Sequence, residues 1–439
     1  MIRLAAPVVL AELGWMTMGM VDTLMVGRLS PEAIGAVGVG SSLFMGIVIF
    51  AMGLMLGLDT LVSHAFGAGE VDDCHRWLMH GAVLAIVLSL PVMAVLFALS
   101  NAMGRWGLTP HVLGLTRPYL DAVTWSVPPL LMYSAFRRYL QGMGVVQPIM
   151  IALVLANIVN VVFNWILIFG NLGAPAMGVR GSAWATVLAR IMMATMLFAV
   201  IVRRERGRRP GLFETTTKIE WTWMRRLIDL GLPAATQITL EVGVFAAATA
   251  LAGRLPAIAL AAHQIAVNFA ALTFMVPLGV ASAGAVRVGQ AVGRRDLAGA
   301  ARAGWTALLF AVAFMSFAAA AFVLVPHLLI GAFTADRGVL EVGIKLLSIA
   351  AVFQLFDGIQ AVATGALRGL GDTRTPMLWN LAGHWFVGLP LGYGLCFVAG
   401  IGVVGLWWGL SSGLIICGVA LLWVWSRRIE TASGLLPAP

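Results

Sequence analysis

The chain has 439 residues, of which 60% are hydrophobic and only 11% are charged, whereas a soluble domain carries about 25% charged residues. This composition excludes an ordinary soluble protein, because its cores could not hide so much apolar surface, while a lipid bilayer accepts apolar outward faces. The formal charge of +9 does not indicate a nucleic-acid partner, because the basic residues lie scattered in short gaps between apolar runs.

Twelve apolar segments are long enough for a helix to cross a bilayer, which takes about 20 residues. Only a helix satisfies the backbone of such long segments in lipid. The predicted fold is therefore an all-α polytopic membrane protein, with span bounds accurate to about 4 residues. The predicted spans are 4–27, 36–62, 76–99, 115–136, 146–170, 179–202, 224–252, 258–286, 300–325, 340–366, 376–398 and 402–425.

Lys and Arg residues predict the orientation of these spans. With the N-terminus inside, twenty of the 28 basic residues fall in cytoplasmic segments and seven in external ones, and Arg190 lies within a span. An excess of Lys and Arg marks the cytoplasmic side. We therefore expect a multi-pass protein of the cell inner membrane with both termini in the cytoplasm.

The two halves of the sequence repeat each other. An offset of 226, with a later drift of one or two residues, aligns punctuating residues at separated sites, among them Pro7 with Pro233, Gly27 with Gly253, Gly67 with Gly293, Gly142 with Gly369 and Trp184 with Trp408. Both halves start inside and hold six spans, so the repeat is parallel, a recurring transporter plan. The predicted domains are an N-lobe at 1–202, a cytoplasmic inter-lobe loop at 203–221 and a C-lobe at 222–439.

The sequence lacks the motifs that would indicate a disulfide framework, a metal site or a nucleotide-binding enzyme. Cys74, Cys396 and Cys417 are far apart and form no C-x-x-C pair, so they predict neither a disulfide framework nor a metal site. No nucleotide-binding loop or H-E-x-x-H motif occurs. The sequence therefore predicts a protein that is not an enzyme and has no cofactor, and any pumping must draw on an ion gradient.

Among the ionisable residues of the predicted spans, seven are candidates for a function: Glu12, Asp22, Arg190, Glu241, His263, Asp357 and His384. A charge at mid-bilayer costs roughly 2.5–3.5 kcal/mol on insertion scales, so each of these residues needs a reason. Three of the acidic ones break the repeat, since Asp22 aligns with Ala248, Glu241 with Trp15 and Asp357 with Leu130. This asymmetry indicates that the carboxylates serve something other than the scaffold.

Glu241 and Asp357 are the main functional candidates, as cation-coupling and substrate-binding groups with Na⁺ as a candidate ion. The alternative for each is a structural hydrogen-bonding role. Asp22, Asn160 and Asn164 fall near the outer ends of spans 1 and 5, so they could meet at one depth as a second polar cluster.

The remaining candidates have weaker support. Glu12 could face a cytoplasmic vestibule or pair with Arg190. Histidines such as His263 and His384 are more often satisfied core residues than proton relays.

Runs along the whole chain resemble the multidrug and toxic compound extrusion (MATE) family, and within it the NorM-like branch. The runs that carry the resemblance are MGMVDTLMVGRLSPEAIGAVGVG in span 1, ALAAHQIAVNF after Glu241, LFDGIQAVATGALRGLGDTRTP around Asp357, and ANIVNVVFNWILIFG with GAPAMGVRGSAWAT in spans 5 and 6. The resemblance implies two six-helix lobes in a V-shaped architecture around a central cavity. It also implies export of amphipathic, mostly cationic compounds in antiport with Na⁺ or H⁺.

The resemblance also implies roles for particular residues. Glu241 and Asp357 match the carboxylates of the family's C-lobe, and Asp22, Asn160 and Asn164 match its polar N-lobe cluster. Glu12 stands where the family suggests an amide such as Gln, and His384 where it suggests an aromatic residue. The expected partners are cationic or amphipathic drugs and the lipid bilayer, with no nucleic acid, and the expected state is a monomer.

Two alternatives of other kinds remain open. A lipid-linked oligosaccharide flippase of the same superfamily would be expected to have a more cationic cavity for pyrophosphate, whereas the charges within these spans are mainly acidic. A membrane-embedded enzyme would need a metal or nucleophile constellation, and a structural or receptor role would leave the three unpaired carboxylates unexplained.

Overall fold

The computed structural model describes residues 2–107, 109–206 and 218–434. Its α-helices, with two 3₁₀ turns and two π-helical segments between them, are α1 (Ile2–Val26), α2 (Pro31–Leu54), α3 (Gly57–Ala68), α4 (Val71–Ala102), α5 (Pro110–Thr124), α6 (Val127–Gly142), α7 (Gln147–Phe169), α8 (Val179–Glu205), α9 (Trp221–Ala252), α10 (Ala257–Gly293), α11 (Leu297–Leu324), α12 (Pro326–Gly331), α13 (Arg337–Gly369), α14 (Arg374–Asn380), α15 (Leu389–Tyr393) and α16 (Val403–Gly434).

The predicted all-α membrane fold is confirmed. Within the described ranges, eleven helical segments are long and apolar enough to cross a membrane. The one predicted span without such a segment is span 4 (115–136), which corresponds to α5 and α6, and each of these helices is too short to cross a membrane alone. The chain is therefore an integral membrane protein.

Three of the predicted spans are interrupted. Span 2 breaks between α2 and α3, and span 4 breaks between α5 and α6. Pro128 and Pro129 stand in the first turn of α6, where a missing N–H is tolerated because no earlier carbonyl needs it. Span 11 is π-helical on both sides of α15, which contains Pro390. By contrast, Pro277 lies inside α10 without interrupting it.

Backbone conformation repeats at the offset that the sequence predicted. Gly69 after α3 has φ of 82°, and Arg295 after α10, 226 positions later, has φ of 60°. Gly144 and Gly371, which follow α6 and α13, have φ of 77° and 89°. Left-handed residues commonly end helices, so the two halves end equivalent helices in the same way.

Two compact units make up the chain. One consists of Met1–Val9 with Thr236–Pro439, and the other is Leu10–Ala235. Both boundaries fall inside helices, and they are equivalent in the repeat, because Val9 and Ala235 are 226 positions apart. The predicted inter-lobe loop at 203–221 stays a prediction, because its residues 207–217 lie outside the described residues; the two compact units meet within α9.

Close helix contacts explain these boundaries. Gly53 of α2 lies so near Ala235 that a Cβ on Gly53 would stand 2.6 Å from the Cα of Ala235. The equivalent Gly279 of α10 lies equally near Val9, with 2.8 Å from a Cβ to the Cα of Val9. Small residues allow spanning helices to approach this closely, so each unit includes the first turns of the opposite half's first helix.

The aromatic residue Trp223 fixes the start of α9 within the Leu10–Ala235 unit. Its ring packs 4.3 Å from the ring of Trp77 and 5.9 Å from that of His80, both in α4. The Glu220 backbone N–H donates to His80 Nε2 over 3.1 Å. The start of α9, where the second half of the sequence begins, is therefore packed against α4 of the first half.

We expect the substitution Gly53→Ala to lower the stability of the protein by about 1–3 kcal/mol, because the added methyl group overpacks a closed helix contact. The matched control is Gly46→Ala in the same helix, where a Cβ would meet nothing within 4 Å. Thermal unfolding of both variants in detergent measures the difference, and equal melting temperatures would contradict the contact.

Candidate functional site

Asp22, Asn160, Asn164 and Thr186 form a buried polar cluster, called here the Asp22 cluster. Asp22 Oδ1 accepts hydrogen bonds from Asn160 Nδ2 (3.0 Å) and Asn164 Nδ2 (2.7 Å). The Thr186 hydroxyl donates to Asp22 Oδ2 over 2.9 Å. The structure thus brings together the three residues that the sequence predicted to meet.

Helix geometry explains how the Asp22 cluster forms. Asn160 and Asn164 are four residues apart in α7 and therefore share one face, which packs against α8 and the Asp22 side chain of α1. All four side chains are at most 5% exposed. The side-chain amide oxygen Oδ1 of Asn164 has no hydrogen-bond partner in the described ranges. A free hydrogen-bond acceptor therefore lies beside the Asp22 carboxylate.

Thr186 was missed from the sequence. Its signal was available, because it lies four residues before Arg190 in α8 and therefore on the same helix face as a residue already singled out. A lone threonine in an apolar helix is unremarkable, however, since its hydroxyl can bond to the preceding turn. Only the contact with Asp22 shows its role.

Arg190 is a buried cation in the neighbourhood of the Asp22 cluster. Its Nη1 donates to the hydroxyl of Ser126, at the break between α5 and α6, over 2.5 Å. The guanidinium lies 4.7 Å from the ring of Phe44 and 5.8 Å from that of Trp15, an arrangement that stabilises a desolvated cation. Arg190 and Asp22 interact electrostatically, so this positive charge partly balances the carboxylate.

The suggested pairing of Glu12 with Arg190 is wrong. Glu12 pairs with Arg137 of α6, whose Nη2 donates to the Glu12 carboxylate. The neighbouring Arg138 forms a second pair, 3.0 Å from Asp59. The sequence assigned both arginines to a cytoplasmic segment after span 4, whereas α6 continues through them and turns them toward acidic partners.

Glu241 and Asp357 belong to the same compact unit, Thr236–Pro439 with Met1–Val9, and are near enough for their charges to interact. Glu241 of α9 interacts with the side chain of Gln237, one turn earlier, and with Asp357 of α13 through their charges. Asp357 is 6% exposed. Neither carboxylate has a cationic partner in the described part of the chain, so this pair is electrostatically unbalanced, unlike Glu12.

Oxygen atoms without partners continue from Asp357 along α13. The side-chain oxygens of Gln360 and Thr364 are buried and accept no hydrogen bond from a described residue. Gln360 does donate to Asn380 of α14 over 3.1 Å. Within the described ranges, no group of three or more His, Cys, Asp and Glu residues could hold a metal ion. A hard cation here would therefore rely on carboxylate, amide and hydroxyl oxygens.

The two candidate histidines differ. His263 Nδ1 accepts from the Trp407 indole N–H and Nε2 lies 3.0 Å from the Thr249 hydroxyl, which itself bonds to the Phe245 carbonyl. Because Nδ1 is an acceptor, the proton must be on Nε2 of a neutral ring, and His263 is a satisfied core residue. His384, in the π-helical part of span 11, is buried and its Nε2 has no hydrogen-bond partner among described residues.

Comparison with known proteins agrees with the repeat. The sequence profile of the MatE family matches this chain twice, at residues 7–166 and 233–394. The chain belongs to this family. It is a transporter rather than an enzyme, as predicted, and the two matches begin 226 positions apart, which is the offset between its halves.

Curated relatives match along nearly the whole chain. A probable multidrug resistance protein NorM of Mesorhizobium japonicum is 40% identical over 99% of this chain and 94% of its own length. The multidrug resistance protein NorM of Burkholderia vietnamiensis is 36% identical over 100% and 95%. The family predicted from the sequence motifs is thus confirmed.

Solved structures share the fold at low sequence identity. A eukaryotic MATE transporter, AtDTX14, has a TM-score of 0.87 at 18% identity, over 99% of this chain and 97% of its own. A multidrug resistance MATE family transporter in an outward-facing conformation has a TM-score of 0.87 at 21% identity, over 98% and 95%. These similarities establish the architecture alone.

We expect Thr186→Val to destabilise the protein by about 0.6–1.7 kcal/mol, the range of side-chain hydrogen bonds within membranes. In an Asp22→Asn background the same change should cost less, because the two residues act on one bond. Unfolding of the single and double variants in detergent measures this coupling. Thr195→Val is the control, since that hydroxyl bonds only to carbonyls of its own helix. Strictly additive effects would disprove the cluster.

Proposed function

We propose that this protein exports amphipathic, mostly cationic compounds across the cell inner membrane in exchange for Na⁺ or H⁺. Its curated relatives are named as multidrug resistance proteins. The observation that carries the proposal is the pair of neighbouring carboxylates, Glu241 and Asp357, without a cationic partner in the described ranges.

A carboxylate pair of this kind binds positive charge in more than one form. Two negative groups close together in an apolar environment repel each other, so a proton, a metal cation or an organic cation lowers their energy. These ligands compete for the same charge. A cationic compound held by the pair would therefore be released when Na⁺ or H⁺ neutralises it.

Transport in one direction requires that the two ligands prefer different states of the protein. A ligand shifts a conformational equilibrium only through different affinities for the two states. In the proposed cycle, the cationic compound binds in the inward-open state, and Na⁺ or H⁺ binds in the outward-open state. Adaptable methionine side chains, of which the chain has 22, suit contact with varied apolar drug surfaces.

The Asp22 cluster is the proposed second coupling element. Three donors hold the Asp22 carboxylate, while Arg190 supplies a nearby positive charge. Binding of a cation or proton at Asp22 would weaken its bonds with Asn160, Asn164 and Thr186. Because these residues belong to α1, α7 and α8, this change would be passed to the packing of three helices.

The oxygen set around Asp357 is compatible with Na⁺ as the coupling ion. Hard cations prefer carboxylate, carbonyl and hydroxyl oxygens, and Gln360 and Thr364 carry unpartnered oxygens one and two turns after Asp357. Protons would need only the carboxylates themselves. Both ions therefore remain within the proposal, and Glu241 and Asp357 are the proposed ligands in each case.

The proposal also covers the membrane topology and the oligomeric state of the protein. Both termini lie in the cytoplasm, because basic residues are concentrated on that side. The protein acts as a monomer within the lipid bilayer. A lipid-linked oligosaccharide flippase is less well supported, since the carboxylates Glu12, Asp22, Glu241 and Asp357 within the spans oppose binding of pyrophosphate.

We expect Glu241→Gln and Asp357→Asn each to reduce drug export by about 5- to 150-fold, the range of typical coupling energies. Each variant removes the charge that ion and drug share. The measurement is accumulation of a cationic dye in an efflux-deficient host. Glu341→Gln is the matched control, an exposed carboxylate in the same helix as Asp357. Normal export by both test variants would refute the assignment.

Imposed gradients in proteoliposomes should identify the coupling ion. We expect a Na⁺ gradient at constant pH, or a pH gradient at constant Na⁺, to drive uptake of a cationic dye into the vesicles by the wild-type protein. The same gradient should drive no uptake by the Asp357→Asn variant, because the ion-binding carboxylate is absent. Uptake that neither gradient increases would contradict antiport.

A further inference from the structure

A cavity lined by charged and aromatic side chains lies in the Leu10–Ala235 unit, and none of the residues proposed for transport lines it. Its volume is about 370 Å³, within the usual range for small-ligand pockets of about 300–1,000 Å³. Side chains of α5 and α8 line it, among them Arg117, Asp121, Trp125, Arg180 and Trp184. Arg117 and Arg180 lie at the predicted external ends of spans 4 and 6, where a span meets the membrane surface.

The two arginines of this cavity carry donors that the protein does not use. Arg180 is exposed and makes no hydrogen bond or ion pair with a described residue. Arg117 donates from one nitrogen to Asn101, which leaves other guanidinium N–H groups available. The sequence places Arg117 and Arg180 outside, where Lys and Arg are disfavoured, so two arginines that line one cavity require a reason. Guanidinium groups bind phosphate oxygens in bidentate geometry.

The carboxylate of Asp121 lies in the same cavity. One oxygen, Oδ1, accepts a hydrogen bond from the Ser100 hydroxyl over 2.6 Å. No Lys or Arg of the described chain pairs with it, although Arg117 is one turn earlier in α5. A ligand bound by the arginines through a phosphate could therefore place an ammonium group at Asp121.

Two tryptophans complete the cavity. Trp125 is 55% exposed and packs edge-on against Phe97 of α4, and Trp184 is half-buried. Trp184 lies five residues into predicted span 6, close to the interface where tryptophan is enriched, whereas Trp125 lies ten residues into predicted span 4. Indole faces also attract ammonium groups.

From these features we infer that the cavity between α5 and α8 binds the head group of a zwitterionic membrane phospholipid with a free ammonium, as in phosphatidylethanolamine. Arg117 and Arg180 hold the phosphate, Asp121 holds the ammonium, and the tryptophans flank the head group. Because the cavity opens at the membrane surface, the acyl chains can stay in the bilayer.

The charged lining of the cavity is not repeated in the second half of the sequence. At the equivalent positions of the second half, Arg117, Asp121 and Trp125 are replaced by Ile344, Ser348 and Val352, and Arg180 by Val404. Of these five residues, only Trp184 has the same residue type at the equivalent position, Trp408. The scaffold therefore does not need these charges, and their presence in the first half is a specific addition.

Native mass spectrometry of the detergent-purified protein, with phosphatidylethanolamine, phosphatidylcholine and phosphatidylglycerol added in equal amounts, tests the inference. We expect the wild type to retain phosphatidylethanolamine preferentially. The double variant Arg117→Ala with Arg180→Ala should retain it at least about tenfold less, because the phosphate loses its charge-assisted donors. Asp121→Asn should selectively lose the preference for phosphatidylethanolamine over the other two lipids. Arg254→Ala, an exposed arginine of the second half, is the control.

Other outcomes would overturn the inference. Equal retention of the three lipids by the wild type, or unchanged retention by the double variant, would show that no such site exists. Displacement of the lipid by soluble phosphoethanolamine at equal concentration would identify a free ligand instead of a membrane lipid. Should a variant fail to fold, melting of the wild type with each lipid decides, because a bound ligand raises stability by mass action. None of these readouts depends on transport.

Discussion

The absence of water from the bilayer interior is the constraint on which this structure depends. Backbone groups must find partners within helices, and a buried charge must be balanced or have a use. Glu12 is balanced by Arg137, and Asp22 is held by three donors with Arg190 nearby. Glu241 and Asp357 are not balanced by any described cation, which is why the proposed chemistry centres on them.

The repeat distinguishes scaffold from chemistry. The equivalent glycines Gly53 and Gly279 make the same close helix contact in the two units, and left-handed residues end equivalent helices. The charges do not follow this symmetry, either at the proposed transport residues or at the cavity between α5 and α8. The features that the two halves share are those that a helix bundle needs in lipid. The polar groups of the proposed transport residues and of this cavity are those in which the halves differ.

Helix periodicity was enough to predict part of the candidate site. Asn160 and Asn164 share a helix face by spacing alone, and their depth matches that of Asp22 in another span. The partner of Glu12 could not be predicted, because α6 continues past the expected end of span 4 and brings Arg137 to it. Thr186 was missed for a similar reason, since nothing local distinguishes a threonine that bonds to a neighbouring helix from one that bonds to its own.

The sequence by itself determined the membrane class, the number of spans, the repeat and which few carboxylates fall within the spans. These features depend on composition and local periodicity. Only the tertiary structure decided which charges are paired, where helices break or become π-helical, and that each unit includes the first turns of the other half's first helix. Those features arise from contacts between segments far apart in the chain, such as Trp223 with Trp77, which helix geometry within one span cannot specify.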